Sequence, residues 1–125
     1  MSRFLSALAV TASLITMSLS AQAAQPFTPE RLAEAQRANK SILVDVTAPW
    51  CPTCKAQRPV IAGLEKANPQ LVVLEIDFDT SKPLLKKLGV QMQSTLIVYK
   101  GDKEVGRSTG VSDAAAVTDL VKKAL

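Results

Sequence analysis

The chain has 125 residues, enough for one domain with one hydrophobic core. It carries 15 basic and 11 acidic side chains, no histidine and two cysteines, for a formal net charge of +4 at pH 7. The charges are scattered, and no basic stripe is interleaved with aromatic residues, so we expect no nucleic-acid partner.

The N-terminal segment has the pattern of a secretory signal peptide. A basic start at Arg3 precedes a mostly apolar run over 4–19, and Ala21-Gln22-Ala23 matches the A-x-A cleavage site. We therefore predict a signal peptide over 1–23 and one mature domain over 24–125, secreted to a bacterial periplasm. A retained anchor is the alternative. The apolar run contains several hydroxyls and is shorter than the ~20 residues that span a bilayer, so we expect no stable membrane insertion after cleavage.

Cap, turn and periodicity signals predict the element order αβαβαββα for the mature chain. This order favours an α/β fold: a mixed four-stranded sheet with helices on both faces. The predicted elements are a helix from Pro29 to about Ala38 capped by Thr28, a strand over 41–47, a helix over 55–67, a strand over 71–77, a short helix between Ser81 and Gly89, strands over 95–100 and 104–108, and a last helix capped by Ser112.

One carboxylate interrupts the strand over 41–47, whose otherwise near-continuous apolar character suggests burial on both faces. A charged Asp45 in a central strand costs several kcal/mol unless it is neutral or has a partner. We interpret Asp45 as a buried acid beneath the cysteines that accepts a proton during the reaction. The alternative is an edge strand on which Asp45 is solvated.

The two cysteines, Cys51 and Cys54, form a C-x-x-C motif between that strand and the next helix. This context is typical of thiol–disulfide redox chemistry. Unpaired N–H groups and the positive end of the helix dipole favour a thiolate at a helix start. We therefore predict Cys51 as the exposed nucleophile, with a pKa near ~7, and Cys54 as the inward, resolving thiol.

Other interpretations of the cysteine pair are weaker. A structural disulfide across so short a loop stabilises the fold by only about 2 kcal/mol. Two thiolates supply half of a zinc site, and the chain has no histidine to complete one, so we expect no metal and no cofactor. A metal or iron–sulfur cluster shared by two chains stays open as a non-enzymatic alternative. Otherwise we expect a monomer.

The segment Val44-Asp45, followed by Ala48-Pro49-Trp50-Cys51-Pro52-Thr53-Cys54-Lys55, resembles the active-site segment of the thioredoxin superfamily. The likeness covers nearly all of the mature chain and implies the thioredoxin fold. By this resemblance Asp45 corresponds to the family's buried acid, Pro59 to its helix-kinking proline, and Gly110 to the glycine before its last helix. The Cys-Pro-Thr-Cys sequence is similar to that of some reducing periplasmic thioredoxins of cytochrome c maturation.

The motif residues around the cysteines are expected to shape the site. Trp50 would shield one side of it. Pro52 and Thr53 separate the two thiols, and Lys55 either favours the thiolate or is simply solvated.

The sequence departs from the family pattern at two positions. Ser94 stands where the family places a cis-proline opposite the cysteines, and Thr47 stands where thioredoxins commonly have a second tryptophan. A cis bond before a residue other than proline costs ~3–4 kcal/mol, so we expect Gln93–Ser94 to be trans. In the family, the residue before the proline offers backbone hydrogen bonds to an extended substrate, which makes Gln93 and Ser94 the candidate substrate-binding residues.

These features together favour a periplasmic disulfide reductase or electron carrier. Cys51 would attack a disulfide in a protein substrate, and Cys54, deprotonated with help from Asp45, would release the reduced product. The resemblance implies a membrane electron donor of the DsbD type. A thiol oxidase or isomerase is the first alternative, because the same pair can run in either direction.

Overall fold

A computed structural model of the protein describes residues 23–125. The predicted signal peptide therefore lies outside the described residues, except for Ala23. Five strands and four helices follow: β1 Gln25–Pro26, α1 Pro29–Arg37, β2 Ser41–Thr47, α2 Pro52–Ala67, β3 Leu71–Asp77, α3 Lys82–Leu88, β4 Thr95–Lys100, β5 Lys103–Thr109 and α4 Ala114–Lys122.

The strands form one mixed sheet in the order β1-β3-β2-β4-β5. β1 and β2 run parallel to β3, whereas β4 is antiparallel to both β2 and β5. The predicted α/β fold with a mixed sheet is confirmed, but the sheet has five strands and not four, because β1 was not predicted. That strand has only two residues, one of them proline, so it carries no alternating pattern that a sequence could reveal.

The central strand β2 is buried on both faces, which explains its continuous apolar sequence. On one face, Ile42, Val44 and Val46 pack in a cluster with residues of α1 and α3. On the other face, Leu43 belongs to a second cluster with residues of α2 and α4. Asp45 follows Leu43 on this second face because side chains alternate along a strand. The edge-strand alternative for Asp45 is therefore wrong.

The helix boundaries depend on identifiable caps. Thr28 caps α1 as predicted, its hydroxyl oxygen accepting a hydrogen bond from Arg31 N at 3.1 Å. The cap of α4 is Asp113, one residue beyond the predicted Ser112, and its carboxylate accepts from Ala116 N at 2.9 Å. A carboxylate is favoured at this position because it meets both the free N–H groups and the positive end of the helix dipole.

The carboxyl end of β2 lies next to the loops that carry Phe78 and Ser94 and to the cysteine motif. Two backbone hydrogen bonds fix neighbouring segments to it: Phe78 N donates to Thr47 O at 2.9 Å, and Ser94 N donates to Val46 O at 2.8 Å. The cysteine motif follows directly at the start of α2. In residues 23–125, no helix is both long and apolar enough to cross a membrane.

Candidate active site

The two cysteines form a disulfide at the N-terminus of α2, with their Cα atoms 5.3 Å apart. Cys51 is the N-cap residue, and the helix begins at Pro52, three residues before the predicted start. Cys54 N–H donates a hydrogen bond to Cys51 Sγ at 3.1 Å. A free N–H group of the first helical turn is thus directed at the sulfur of Cys51, where it would stabilise a thiolate after reduction.

The degree of burial does not show which cysteine is the nucleophile and which is the resolving thiol. Cys51 is 2% exposed and Cys54 is 1% exposed, and both pack with Ala48 and Phe78. The expectation that Cys51 is exposed is therefore wrong for the disulfide form, because both cysteines are buried in this apolar cluster. The assignment of Cys51 as nucleophile depends on its place at the helix start.

Trp50 lies beside the cysteines with 56% of its surface exposed. Its indole N–H donates to Asp79 Oδ2 at 2.7 Å. The turn that carries Asp79 is itself held by Asp77, whose Oδ1 accepts from Asp79 N and Thr80 N at 2.9 and 3.0 Å. The hydrogen bond from Thr80 is the main cause of a lowered pKa for Asp77. The indole is therefore fixed on one side of the disulfide by a pre-formed turn.

The other motif residues lie on the first turn of α2. Pro52 and Lys55 are exposed, and Thr53 is half-buried. Phe78, which packs against the cysteines, also borders a surface cavity of about 270 Å³. The remaining walls of this cavity are Lys82, Leu85, Lys86, Gly89, Val90 and Gln91.

Ser94 occupies the loop that precedes β4 and adopts a left-handed backbone, with φ of 58°. Among residues 23–125 no peptide bond is cis, so the expectation of a trans Gln93–Ser94 bond is confirmed. Besides the bond from Ser94 N to Val46, the Ser94 carbonyl accepts from Gly110 N at 3.1 Å. Both backbone polar groups of Ser94 are thus engaged inside the protein, and the residue is 4% exposed.

Gln57 is a buried polar residue of the site that the sequence did not single out. Its side-chain Nε2 donates to Val111 O at 2.7 Å and to Ser94 O at 3.3 Å, and the residue is 1% exposed. One amide thus connects α2, the Ser94 loop and the segment before α4. The available signal was its spacing three residues beyond Cys54, which places both on the same helix face.

Asp45 lies in the middle of the sheet, 4% exposed, and its Oδ1 has no hydrogen-bond partner in the described part of the chain. Burial is the largest cause that raises its pKa, from 3.8 to about 7. The carboxylates of Glu75 and Glu65 raise the pKa further, whereas the guanidinium of Arg58 lowers it. Asp45 therefore exchanges its proton near neutral pH, where a catalytic acid or base is most effective.

No group of three or more histidine, cysteine, aspartate or glutamate side chains in residues 23–125 is arranged to hold a metal ion.

Comparison with known proteins agrees with this geometry. The thioredoxin family model matches residues 24–123. The chain belongs to the thioredoxin family. A thioredoxin of Chlamydia muridarum is 38% identical over 82 residues, which cover 66% of this chain and 80% of that relative.

Solved structures of thioredoxin-like proteins have the same fold. The crystal structure of Trxlp from Edwardsiella tarda EIB202 superposes with a TM-score of 0.73 at 37% identity, covering 79% of this chain and 98% of that one. The crystal structure of a thioredoxin from Schistosoma mansoni gives a TM-score of 0.68 at 28% identity, with 82% and 94% covered. The chain is thus a thioredoxin-like thiol–disulfide oxidoreductase, and Cys51 and Cys54 are its redox pair.

The left-handed backbone at Ser94 predicts opposite effects for two substitutions. Ser94→Pro should lower the free energy of unfolding by about 3 kcal/mol or more, because proline fixes φ near −65° and removes the N–H that bonds to Val46. Ser94→Gly, the control, keeps the N–H and adopts a positive φ without strain, so it should stay within about 1 kcal/mol of the wild type. Denaturant unfolding measures both. A higher melting temperature for Ser94→Pro would contradict the observed backbone.

The burial of Asp45 predicts a stability that depends on pH. Between about pH 4 and pH 7 the folded protein keeps a proton that the unfolded chain loses, so wild-type stability falls as pH rises. The difference between 3.8 and about 7 corresponds to about 4 kcal/mol. Asp45→Asn should match the wild type in acid and exceed its stability by up to that amount above neutral pH.

Urea unfolding of the two proteins at several pH values tests this expectation. Asp119→Asn, on the exposed surface of α4, is the matched control and should change stability little at any pH. A stability difference between wild type and Asp45→Asn that is the same at acid and neutral pH would show that Asp45 does not retain its proton on folding.

Proposed function

We propose that the protein is a periplasmic protein-disulfide reductase or electron carrier. The observation that carries this proposal is the position of Cys51 at the start of α2, with the Cys54 N–H directed at its sulfur. An N–H group that stabilises Cys51 as a thiolate makes it a better nucleophile and leaving group at neutral pH.

The reaction begins with the reduced pair. The Cys51 thiolate attacks one sulfur of a substrate disulfide, the substrate S–S bond breaks, and the second substrate sulfur leaves as a thiolate that takes a proton from solvent. Cys54 gives its thiol proton to the Asp45 carboxylate and attacks Cys51 Sγ. The mixed disulfide breaks, the Cys51–Cys54 disulfide forms, and the first substrate sulfur is released and protonated. Two electrons pass from the dithiol to the substrate.

The surroundings of the pair support a protein as the substrate. Trp50 offers an exposed aromatic face beside the disulfide, held in place by Asp79. The N–H and carbonyl of Ser94 are engaged internally, and the Gln93 carbonyl accepts a hydrogen bond from Ser94 Oγ. We therefore propose that the backbone contact with an extended substrate is made by the N–H group of Gln93. Pro52, Thr53 and Lys55, on the first turn of α2, would border the substrate.

The oxidised protein must be reduced again before it can act a second time. In an oxidising compartment the electrons have to come from outside it, so we propose a membrane electron donor of the DsbD type. The protein would meet this donor as a monomer. A shared metal or cluster is not favoured, because the two sulfurs are joined to each other and both cysteines are buried.

Paired cysteine variants test the mechanism. Cys54→Ser should accumulate a mixed disulfide with a protein disulfide substrate, because attack proceeds and release does not, whereas Cys51→Ser should form almost none. Non-reducing electrophoresis and mass spectrometry measure the adducts. Equilibration of the wild type with glutathione measures the potential, which we expect nearer to about −270 mV than to about −120 mV. Adducts formed mainly by Cys51→Ser would reverse the two roles, and a potential near the upper value would make the protein an oxidase.

The secretion proposal is supported by the Ala21-Gln22-Ala23 pattern and predicts processing after Ala23. The full chain expressed in a Gram-negative host should be recovered from the periplasmic fraction with Ala24 as its first residue, by intact mass. A variant with Ala21→Arg and Ala23→Arg should keep its N-terminal segment, because signal peptidase needs small residues there. Unprocessed wild-type protein confined to the cytoplasm would exclude secretion.

A further inference from the structure

Asp45 has an unusual set of neighbours for a buried carboxylate. On β3 its register partner is Glu75, and on β4 its partner is Leu96. Adjacent strands lie about 5 Å apart, so Glu75 stands immediately beside Asp45. The preceding pair, Leu43 and Val73, belongs to the cluster under α2 and α4. Alternation along the strands therefore directs both carboxylates toward the same helical layer.

The helix α2 contributes the other two charged groups. Arg58 and Glu65 are seven residues apart, so they lie on the same face of the helix. The Arg58 guanidinium is 3.4 Å from both Thr47 Oγ1 and Ala48 O, just beyond Asp45 at the end of β2. Glu65 is half-buried, and its Oε2 has no hydrogen-bond partner in the described residues.

These four side chains contain three carboxylates and one cation. Asp45 Oδ1 and Glu65 Oε2 are both buried, and neither oxygen has a hydrogen-bond partner in residues 23–125. Glu75 is exposed to water. A fixed negative charge beside Asp45 opposes its ionisation, and the positive charge of Arg58 favours it.

We propose that Glu75 and Arg58 are opposing positioning residues that set the pH at which Asp45 releases and accepts its proton, with Glu65 acting in the same direction as Glu75. This inference rests on the proposed function, in which Asp45 accepts the Cys54 proton. The pH dependence of the resolving step is then governed by one residue on β3 and one residue on α2.

The causes of the Asp45 pKa agree with this geometry. After burial, Glu75 makes the largest contribution, and it raises the pKa, whereas Arg58 lowers it and Glu65 raises it. Glu75 also raises the pKa of Glu65, second to the effect of burial. The two cysteines also lie at this end of α2, and in the disulfide form they do not titrate. In the oxidised protein, the titration of Asp45 can therefore be measured without ionisation of the cysteines.

The test measures the Asp45 carboxyl directly, by carbon-13 NMR of the oxidised protein across pH. Glu75→Gln should move the Asp45 midpoint down by on the order of one pH unit, and Glu75→Lys should move it further down. Arg58→Gln should move it up. The matched controls are Glu34→Gln and Arg37→Gln on α1, which packs on the opposite face of the sheet, and both should leave the midpoint unchanged.

The second readout is the pH profile of mixed-disulfide resolution, measured by rapid mixing of the reduced proteins with a small model disulfide. Its midpoint should shift with Asp45 in each variant, in the same direction and by the same amount. A structural role would lower the amplitude without moving the midpoint. Because Glu75 and Arg58 are both exposed, their variants should fold, which unfolding curves check.

Two results would overturn the inference, and they differ in whether Asp45 remains the proton acceptor of the proposed function. An Asp45 midpoint that is unchanged in the Glu75 and Arg58 variants rejects their control of Asp45. The proposed function survives that result if Asp45→Asn still slows resolution. A midpoint that shifts without any change in the pH profile rejects Asp45 as the proton acceptor, and the inference fails with it.

Discussion

The burial of one carboxylate in the central strand is the constraint on which the rest of this site depends. β2 has apolar clusters on both of its faces, and Asp45 is buried between its neighbours. The protein retains a group that opposes its own burial, and it does so directly before the segment that carries the cysteines. A core residue chosen for stability alone would be apolar at this position. The cost of Asp45 is therefore best understood as the cost of holding a proton near neutral pH.

The site combines this buried acid with two rigid supports. The sulfur of Cys51 faces an N–H group of the first turn of α2, and the indole of Trp50 is held by Asp79. Both contacts are formed in the disulfide form, one within the first turn of α2 and one between Trp50 and the turn that carries Asp79. The two cysteines and Trp50 are thus held by hydrogen bonds that are already formed. The charged side chains around Asp45 are the groups that tune its pKa.

Much of the fold could be predicted from the sequence, because strong local signals agree with it. The strands over 41–47, 71–77 and 95–100 have their predicted bounds, since each is a short apolar run bounded by turn residues. The roles of the cysteines could be predicted from the position of the C-x-x-C motif at a helix start. Proximity in space was the missing information: Glu75 and Arg58 look like ordinary surface charges until the register of β3 and the position of α2 are known.

Two further differences depend on contacts with segments that are distant in the chain. Ser94 could be predicted to follow a trans bond, but not to take a left-handed backbone, because that conformation is imposed by hydrogen bonds to Val46 and Gly110. Gln57 has the sequence character of a solvent-facing glutamine. Its burial follows from two backbone carbonyls in other segments, Ser94 O and Val111 O, that need a donor.

The position of Gln57 has a consequence for the kinetics of folding. Its two hydrogen bonds join residues 37 and 54 positions apart in the chain, so they form only after α2, the Ser94 loop and the segment before α4 have come together. Contacts with such large sequence separation are expected after the main folding barrier, because loop closure must come first. An interaction absent from the transition state slows unfolding and leaves the folding rate nearly unchanged. The buried side-chain amide of Gln57 would then lengthen the lifetime of the native state mainly by slowing unfolding.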